Sequence, residues 1–297
     1  MRSYLDHAAS APLVPAAAEA LIAQLGLFGN ASSLHASGRA ARSVLEDARE
    51  QLADDLGAHP TEVVFTSGGT EADNLAIQGS WRARPQGTIG RRDRLIASAV
   101  EHPAVAETMA ALAQEGADTV TAPVDAEGVV EIEALQDLLT VPTQLTSVMW
   151  VNNETGTSQA VEQVAALART AGSWVHSDAV QAVGHLPVRF ADSGLDLMSV
   201  SAHKIGGPIG IGALLVRREL PLRAYAFGGG QERELRSGTA APALAAGFAA
   251  AVHYAVNRLA DEDERLTRLR ERVRYAVERY GGIVNGRDGS PAIINVS

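Results

Sequence analysis

Short apolar runs alternate with longer amphipathic stretches along most of the chain. The runs rich in β-branched residues predict strands, and positions repeating every three to four residues predict helices. The predicted strands are residues 62–65, 94–99, 147–151, 173–178, 195–200, 213–216 and a final one within 291–296. The predicted helices are residues 15–25, 38–56, 131–139, 161–171, 241–256 and 261–280, with one more opening near residue 70. This order predicts an α/β fold with a mostly parallel, seven-stranded type of sheet sandwiched by helices.

Polar side chains follow the ends of the predicted strands. The residues at these tips are Thr70, His102, Asn153, Asp178 and Lys204. Because the carboxyl ends of parallel strands share one edge of a sheet, we expect the five side chains to converge on one crevice. Each of these residues has an ordinary structural explanation when taken alone. For His102, a structural role explains the residue as well as a ligand-binding role does.

The lysine at the end of the apolar run 195–200 is the most informative tip. A lysine delivered from a buried strand can lose solvation, lower its pKa and attack a carbonyl group. A surface lysine near a turn is the plainer explanation of Lys204. The acid Asp178 on a neighbouring predicted strand favours the explanation that Lys204 is a reactive amine.

Three glycine-rich segments are candidate ligand loops. The turn 66–70 leads from a strand into a helix and could bind a phosphate, although ordinary helix capping explains it equally well. The segment 228–239 is either a flexible loop or a second phosphate contact. The glycines of 206–212 precede a strand instead of a helix, so we reject a dinucleotide-binding motif there. The loop 29–35 could also touch a ligand through its Asn, Ser and His side chains.

Composition narrows the function further. The net charge of −10 argues against a nucleic-acid-binding surface covering the whole protein. The 297 residues contain no cysteine, which excludes disulfides and thiolate metal ligands among them. The eight histidines follow no metal-binding pattern, so we predict no metal site. The sequence shows neither an apolar signal core nor a bilayer-spanning stretch, and we expect a cytoplasmic protein without membrane contact.

A strand-end lysine, a neighbouring acid and a phosphate-binding turn match the requirements of pyridoxal 5'-phosphate (PLP). The lysine would form a Schiff base with the cofactor. The acid would pair with the protonated pyridine nitrogen and keep the ring an electron sink. The turn would hold the phosphate group.

The motifs in sequence order resemble those of the class V aminotransferases among fold-type I PLP enzymes, and most closely the cysteine desulfurases. The matching stretches are residues 4–6, 29–35, 66–74, 101–102, 151–156, 178–181, 201–204, 228–233 and 236–239. They span nearly the whole chain. The resemblance implies conversion of L-cysteine to L-alanine, with the sulfur passed to an acceptor for iron–sulfur clusters or another sulfur-containing cofactor.

The resemblance also implies roles for individual residues. Lys204 would carry PLP and move protons at the substrate α-carbon, Asp178 would bind the pyridine nitrogen, and His102 would stack on the ring and assist proton transfer. Gln181 and Asn153 would reach the phenolic oxygen. Asn30 would lie near the substrate carboxylate. The phosphate contacts would be Gly69, Thr70, Ser201 and His203, with Thr239 reaching the phosphate of the other subunit of a homodimer.

The sequence departs from the desulfurase pattern at its end. The family's persulfide-forming cysteine loop follows a strand like 292–297, and neither that loop nor the substrate-binding arginine is present. We therefore expect a shortened chain that binds PLP without full desulfurase turnover. The expected large domain is 14–258, with 1–13 and 259–297 forming part of an incomplete small domain. The alternatives are a C–S lyase, a selenocysteine lyase, an aminotransferase, or a non-catalytic scaffold subunit; a sulfur-acceptor or scaffold protein is an expected partner.

Overall fold

Residues 3–85, 90–287 and 289–297 are described by a computed structural model. The helices are α1 (Pro15–Gln24), α2 (Ala36–Leu56), α3 (Gly69–Ala83), α4 (Pro103–Gln114), α5 (Ile132–Leu138), α6 (Val161–Thr170), α7 (Pro242–Asn257) and α8 (Leu259–Arg279). The strands are β1 (Val63–Thr66), β2 (Arg94–Ser98), β3 (Asp118–Ala122), β4 (Thr143–Ser147), β5 (Trp174–Asp178), β6 (Leu197–Ser201), β7 (Gly212–Val216), β8 (Val284–Asn285) and β9 (Asn295–Val296).

Seven of the strands form one mixed sheet in the order β1-β7-β6-β5-β4-β2-β3. Strand β7 runs antiparallel to both β1 and β6, and the other neighbours are parallel. Strands β4, β5 and β6 therefore end at the same edge. The predicted α/β fold with a mostly parallel sheet is confirmed.

Both faces of the sheet are buried against helices. On β2, Leu95 and Ala97 point to the cluster formed with α3 and α4, whereas Ile96 points to the cluster formed with α2, α6 and α7. Successive residues of a strand alternate between faces, so a strand covered on both sides reads as a continuous apolar run. The result is a three-layer arrangement in which the sheet is the rigid centre.

Local sequence signals explain where several helices begin and end. Helix α2 is capped at its start by the His35 side chain, which accepts from the Gly38 amide, and Gly57 ends it in the left-handed conformation at φ 64°. Helix α4 begins with Pro103 after His102, whose Nδ1 accepts from the Ala104 amide at 3.1 Å. The capping of α4 fixes the ring of a residue predicted to be functional.

One predicted strand is displaced and another is shorter than predicted. The strand expected at 147–151 lies earlier in the chain, as β4 at Thr143–Ser147. This segment forms a strand although it is polar, because its polar residues are buried and paired: Thr146 Oγ1 lies 3.0 Å from Ser173 Oγ. The strand expected within 291–296 shortens to β9, which pairs with β8. Strand β3, half exposed at the sheet edge, was not predicted.

A buried ion pair attaches the glycine-rich segment 228–239 to the main body. Arg49 of α2 donates to both carboxylate oxygens of Glu232 at 2.8 and 3.0 Å, and Glu232 also accepts from the Phe65 amide at 3.0 Å. The side chain of Glu232 is only 1% exposed. The pair therefore joins α2, β1 and this segment with little exposure to water.

Arg49→Met should destabilise the protein by about 3–5 kcal/mol, because it leaves the Glu232 carboxylate buried without a counter-charge. The double variant Arg49→Met/Glu232→Gln should recover most of that loss, since the amide oxygen still accepts from Phe65. Urea unfolding measures the free energy of unfolding of both variants. The control is Arg42→Met, an exposed position on the same helix, and a single variant as stable as this control would contradict the prediction.

Candidate active site

A cavity of about 400 Å³ opens where β4, β5 and β6 end, beside the N-termini of α3 and α4. Its size falls within the usual range for small-molecule sites. The predicted site residues that line it are Gly69, Thr70, His102, Asn153, Asp178, Gln181, Ser201, His203 and Lys204. The topology thus brings together side chains from five separate stretches of sequence.

Lys204 ends a short 3₁₀ helix, Ala202–Lys204, that directly follows β6. Its Nζ donates to the carbonyl oxygens of Ala8 at 2.5 Å and Ala9 at 3.0 Å. Burial lowers the pKa of Lys204, and the charges of Asp178 and Asp6 oppose that change. A lowered pKa raises the fraction of neutral amine, which is the form that attacks a carbonyl group.

Asp178 is the last residue of β5 and is 6% exposed. One carboxylate oxygen, Oδ1, accepts from the Val180 amide at 2.9 Å. Burial raises the pKa of Asp178, and the neighbouring His102 and Lys204 counteract the rise. A cationic ring nitrogen placed against this carboxylate would lower its pKa again.

His102 presents a fixed ring to the same cavity. Because its Nδ1 accepts from Ala104, the neutral ring carries its proton on Nε2. The preceding Glu101 accepts from the Ser98 hydroxyl at 2.6 Å and the Met149 amide at 2.7 Å, which ties the ends of β2 and β4 together.

The part of the cavity at the N-terminus of α3 is suited to an anion. Helix α3 has 15 residues, and its N-cap Gly68 supplies no side chain to the first amides. Uncapped amides and the helix dipole favour a phosphate there. Ser201 Oγ is buried without a hydrogen-bond partner. A Cβ at Gly69 would lie 2.8 Å from Val180 Cγ2, so a side chain could not be added without displacing Val180.

Gln181 and Asn153 lie on the remaining wall. Gln181 Nε2 donates to the Ala8 carbonyl at 2.8 Å, the same oxygen that accepts from Lys204. Asn153 Nδ2 donates to Glu154 at 2.7 Å. His203 also lines the cavity, and its Nδ1 is 3.4 Å from Ser10 Oγ.

Two predicted site residues do not line this cavity within the chain. Asn30 is exposed in its loop, where its side chain accepts from the Ser32 amide at 2.9 Å. Thr239 borders a separate cavity together with Thr66 and Arg236. Arg236 donates to Glu71 at 2.9 Å, so the segment carrying Thr239 is anchored to the first turn of α3.

Seven cavity residues were not predicted as site residues, namely Asp6, Ala8, Ala9, Asp73, Met149, Glu154 and Val180. Asp6 and Ala8 belong to an N-terminal segment whose place near Lys204 has no local sequence signal. Asp73 lies in the first turns of α3, where an acid is typical of ordinary helix capping, yet it is 1% exposed and faces inward. Asp73, His102 and Asp178 each place one side-chain nitrogen or oxygen atom within 4.8 Å of the others.

A half-buried lysine, a buried acid on the next strand and an anion site at a helix N-terminus define a fold-type I PLP-dependent enzyme. The family profile described as aminotransferase class-V matches residues 3–297. The IscS-like cysteine desulfurase of Mycobacterium tuberculosis is 48% identical over 274 residues, covering 91% of this chain and 70% of that protein. Cysteine desulfurase IscS of Dictyoglomus turgidum is 41% identical, covering 93% and 69%.

The solved structures agree with these relatives. A structure titled NifS-like protein superposes with a TM-score of 0.93 at 34% identity, covering 98% of this chain and 80% of that one. The chain belongs to the class V aminotransferase family and, within it, to the cysteine desulfurases. Among the described residues, no helix is both long and apolar enough to cross a membrane.

Glu101→Gln should change how stability depends on pH. Burial raises the pKa of Glu101 from 4.5 to about 8, and its Oε2 is buried without a partner. Because the unfolded chain loses this proton first, the contribution of Glu101 is full below about pH 4.5 and is lost as the pH rises toward 8. From pH 5 to pH 8 the variant should gain about 1 kcal/mol or more relative to wild type.

Urea unfolding at the two pH values measures this difference, with Glu19→Gln at an exposed position of α1 as the control. A difference between Glu101→Gln and wild type that stays constant with pH would show that Glu101 is ionised in the folded protein.

Proposed function

We propose that this protein is a PLP-dependent cysteine desulfurase that converts L-cysteine to L-alanine and passes the sulfur to a thiol acceptor. The reaction balances as cysteine plus an acceptor thiol giving alanine plus an acceptor persulfide. The observation that carries the proposal is the pairing of Lys204 and Asp178 at the ends of adjacent strands, facing one cavity. The names of the relatives support the same activity.

The bound cofactor supplies an electron sink that stabilises negative charge at the substrate α-carbon. Lys204 would hold the cofactor, and its neutral amine could take and return the α-proton. Asp178 would hold the protonated ring nitrogen, and His102 would lie beside the ring and assist proton transfer. Gln181 and Asn153 would bind the phenolic oxygen, and Asn30 would serve the substrate carboxylate. Gly69, Thr70, Ser201 and His203 would hold the phosphate.

No side chain of these 297 residues can carry the persulfide, because none is a cysteine. The sulfur must therefore reach a thiol that these residues do not supply, and we propose a sulfur-acceptor or scaffold protein as partner. We also propose a cytoplasmic homodimer and a division into a large domain, 14–258, and a smaller unit containing 1–13 and 259–297. One alternative is a C–S lyase, which needs no protein thiol.

Lys204→Ala tests the cofactor assignment. Wild type titrated with PLP should acquire the visible absorbance of lysine-bound cofactor, and the variant should not, because these 297 residues contain no other lysine. When a dithiol is added as the sulfur acceptor, wild type should convert L-cysteine to alanine and acceptor persulfide.

Pyruvate and ammonia in place of alanine would support the lyase alternative. A folded wild-type protein that acquires no absorbance would contradict the proposed function. Circular dichroism of both proteins establishes that each is folded.

Thr239→Ala tests the homodimer. The variant should bind PLP more weakly, whereas Thr140→Ala, at an exposed position, should not. A heterodimer of one Lys204→Ala chain and one Thr239→Ala chain makes the test sharper. If Thr239 crosses to the other subunit, one site keeps both residues and binds PLP with wild-type affinity, at half an equivalent per chain. If Thr239 serves its own subunit, the heterodimer has no intact site, and the crossed arrangement is wrong.

A further inference from the structure

Asp73 of α3 lies between the cavity and a set of buried polar groups beneath it. Its side chain is 1% exposed, it lines the cavity, and its Oδ1 has no hydrogen-bond partner. The nearest basic atom is Nε2 of His176, 3.6 Å from Oδ1. A buried carboxyl group without a counter-charge is costly unless it holds a proton.

His176 does not provide that counter-charge. Its ring is fully buried on β5, with Nδ1 2.8 Å from Ser147 Oγ and Nε2 2.9 Å from Ser199 Oγ. Burial lowers the pKa of His176 to about 3, so the ring is neutral at physiological pH. The two hydroxyl groups satisfy both ring nitrogens without a charge.

Asp73 also lies close to Asp178, since their carboxylate oxygens are within 4.8 Å of each other. Two buried carboxyl groups at this separation cannot both be ionised without a large cost. Asp178 has the better environment for a negative charge, because Val180 donates to it and His102 and Lys204 are nearby. Burial, Asp178 and Glu101 instead raise the pKa of Asp73, with only Ser199 opposing them.

We propose that Asp73 is a positioning residue that holds the single proton of the Asp73–Asp178 pair and thereby keeps the negative charge on Asp178. His176 and Ser199 lie against Asp73 on the side of the sheet, while Asp73 also lines the cavity. Asp178 then meets the ring nitrogen of PLP as an oriented anion. The inference rests on the proposed PLP site, and it adds a device that sets the charge of that site before the cofactor arrives.

Difference infrared spectroscopy on the PLP-free protein locates the proton. Subtracting the spectrum of Asp73→Asn from that of wild type at neutral pH should leave the band of a protonated carboxyl group. Loss of a carboxylate band instead would show that Asp73 is ionised and would overturn the proposal. This readout requires neither bound cofactor nor activity.

The PLP dissociation constant measures the positioning role. Asp73→Leu should bind PLP about tenfold more weakly or worse at neutral pH, because Asp178 loses the polar neighbour that stabilises its charge. The loss should be greater at pH 6 than at pH 8, since a less stabilised Asp178 takes up a proton more readily at low pH. Asp73→Asn keeps a donor of the same shape and should recover most of the affinity.

Ser80→Ala is the matched control, a fully buried position on the same helix whose hydroxyl bonds only to the Ala76 carbonyl. It should bind PLP as wild type does. If Asp73→Leu matches this control at both pH values, Asp73 positions nothing and the proposal is wrong, although the cofactor assignment stands. If wild type itself binds no PLP, the proposed function fails, and the infrared comparison still decides where the proton lies.

Discussion

The site depends on keeping two opposite charges close together without letting them neutralise each other. Lys204 and Asp178 end adjacent strands, and a direct ion pair between them would leave neither free for a cofactor. The structure separates them by giving each another partner: the amine donates to the carbonyls of Ala8 and Ala9, and the carboxylate accepts from the Val180 amide. These backbone partners fix both groups in place while leaving each side chain facing the cavity.

The N-terminal segment is therefore part of the active site as well as part of the fold. It is attached to the lysine turn by backbone hydrogen bonds from Ala11 to His203 at 2.8 Å and from Val14 to Gly206 at 2.9 Å. A side chain at Gly206 would meet the Pro12 carbonyl at 2.9 Å, so the close approach of the two segments requires glycine there. Because both Lys204 and Gln181 donate to Ala8, a displacement of this segment would move two walls of the cavity together.

The sequence predicts the sheet and most of the cavity, because these follow from local patterns and one topological rule. Apolar runs locate the strands, and residues at the carboxyl ends of parallel strands must converge. Strand β4 was misplaced because Thr143, Gln144 and Thr146 look polar, although all three are buried. Burial of a polar strand depends on partners from elsewhere in the fold, which a single sequence does not reveal. No local pattern specifies where a loop residue lies relative to the cavity, so the predicted roles of Thr239 and Asn30 stay predictions.

Asp73 shows why a charged residue in the first turns of a helix deserves two explanations. Such an acid usually stabilises the helix dipole from the surface, and Glu71 fits that role, with Oε2 accepting from the Ser67 amide at 2.5 Å. Two residues later the helix has turned by about 200°, so Asp73 faces the sheet. There its environment is set by β5 and β6, through His176 and Ser199, and the helix end has little influence on it. A carboxyl group placed in that position adds no stability as a helix cap, and its evident physical effect is on the charge of Asp178.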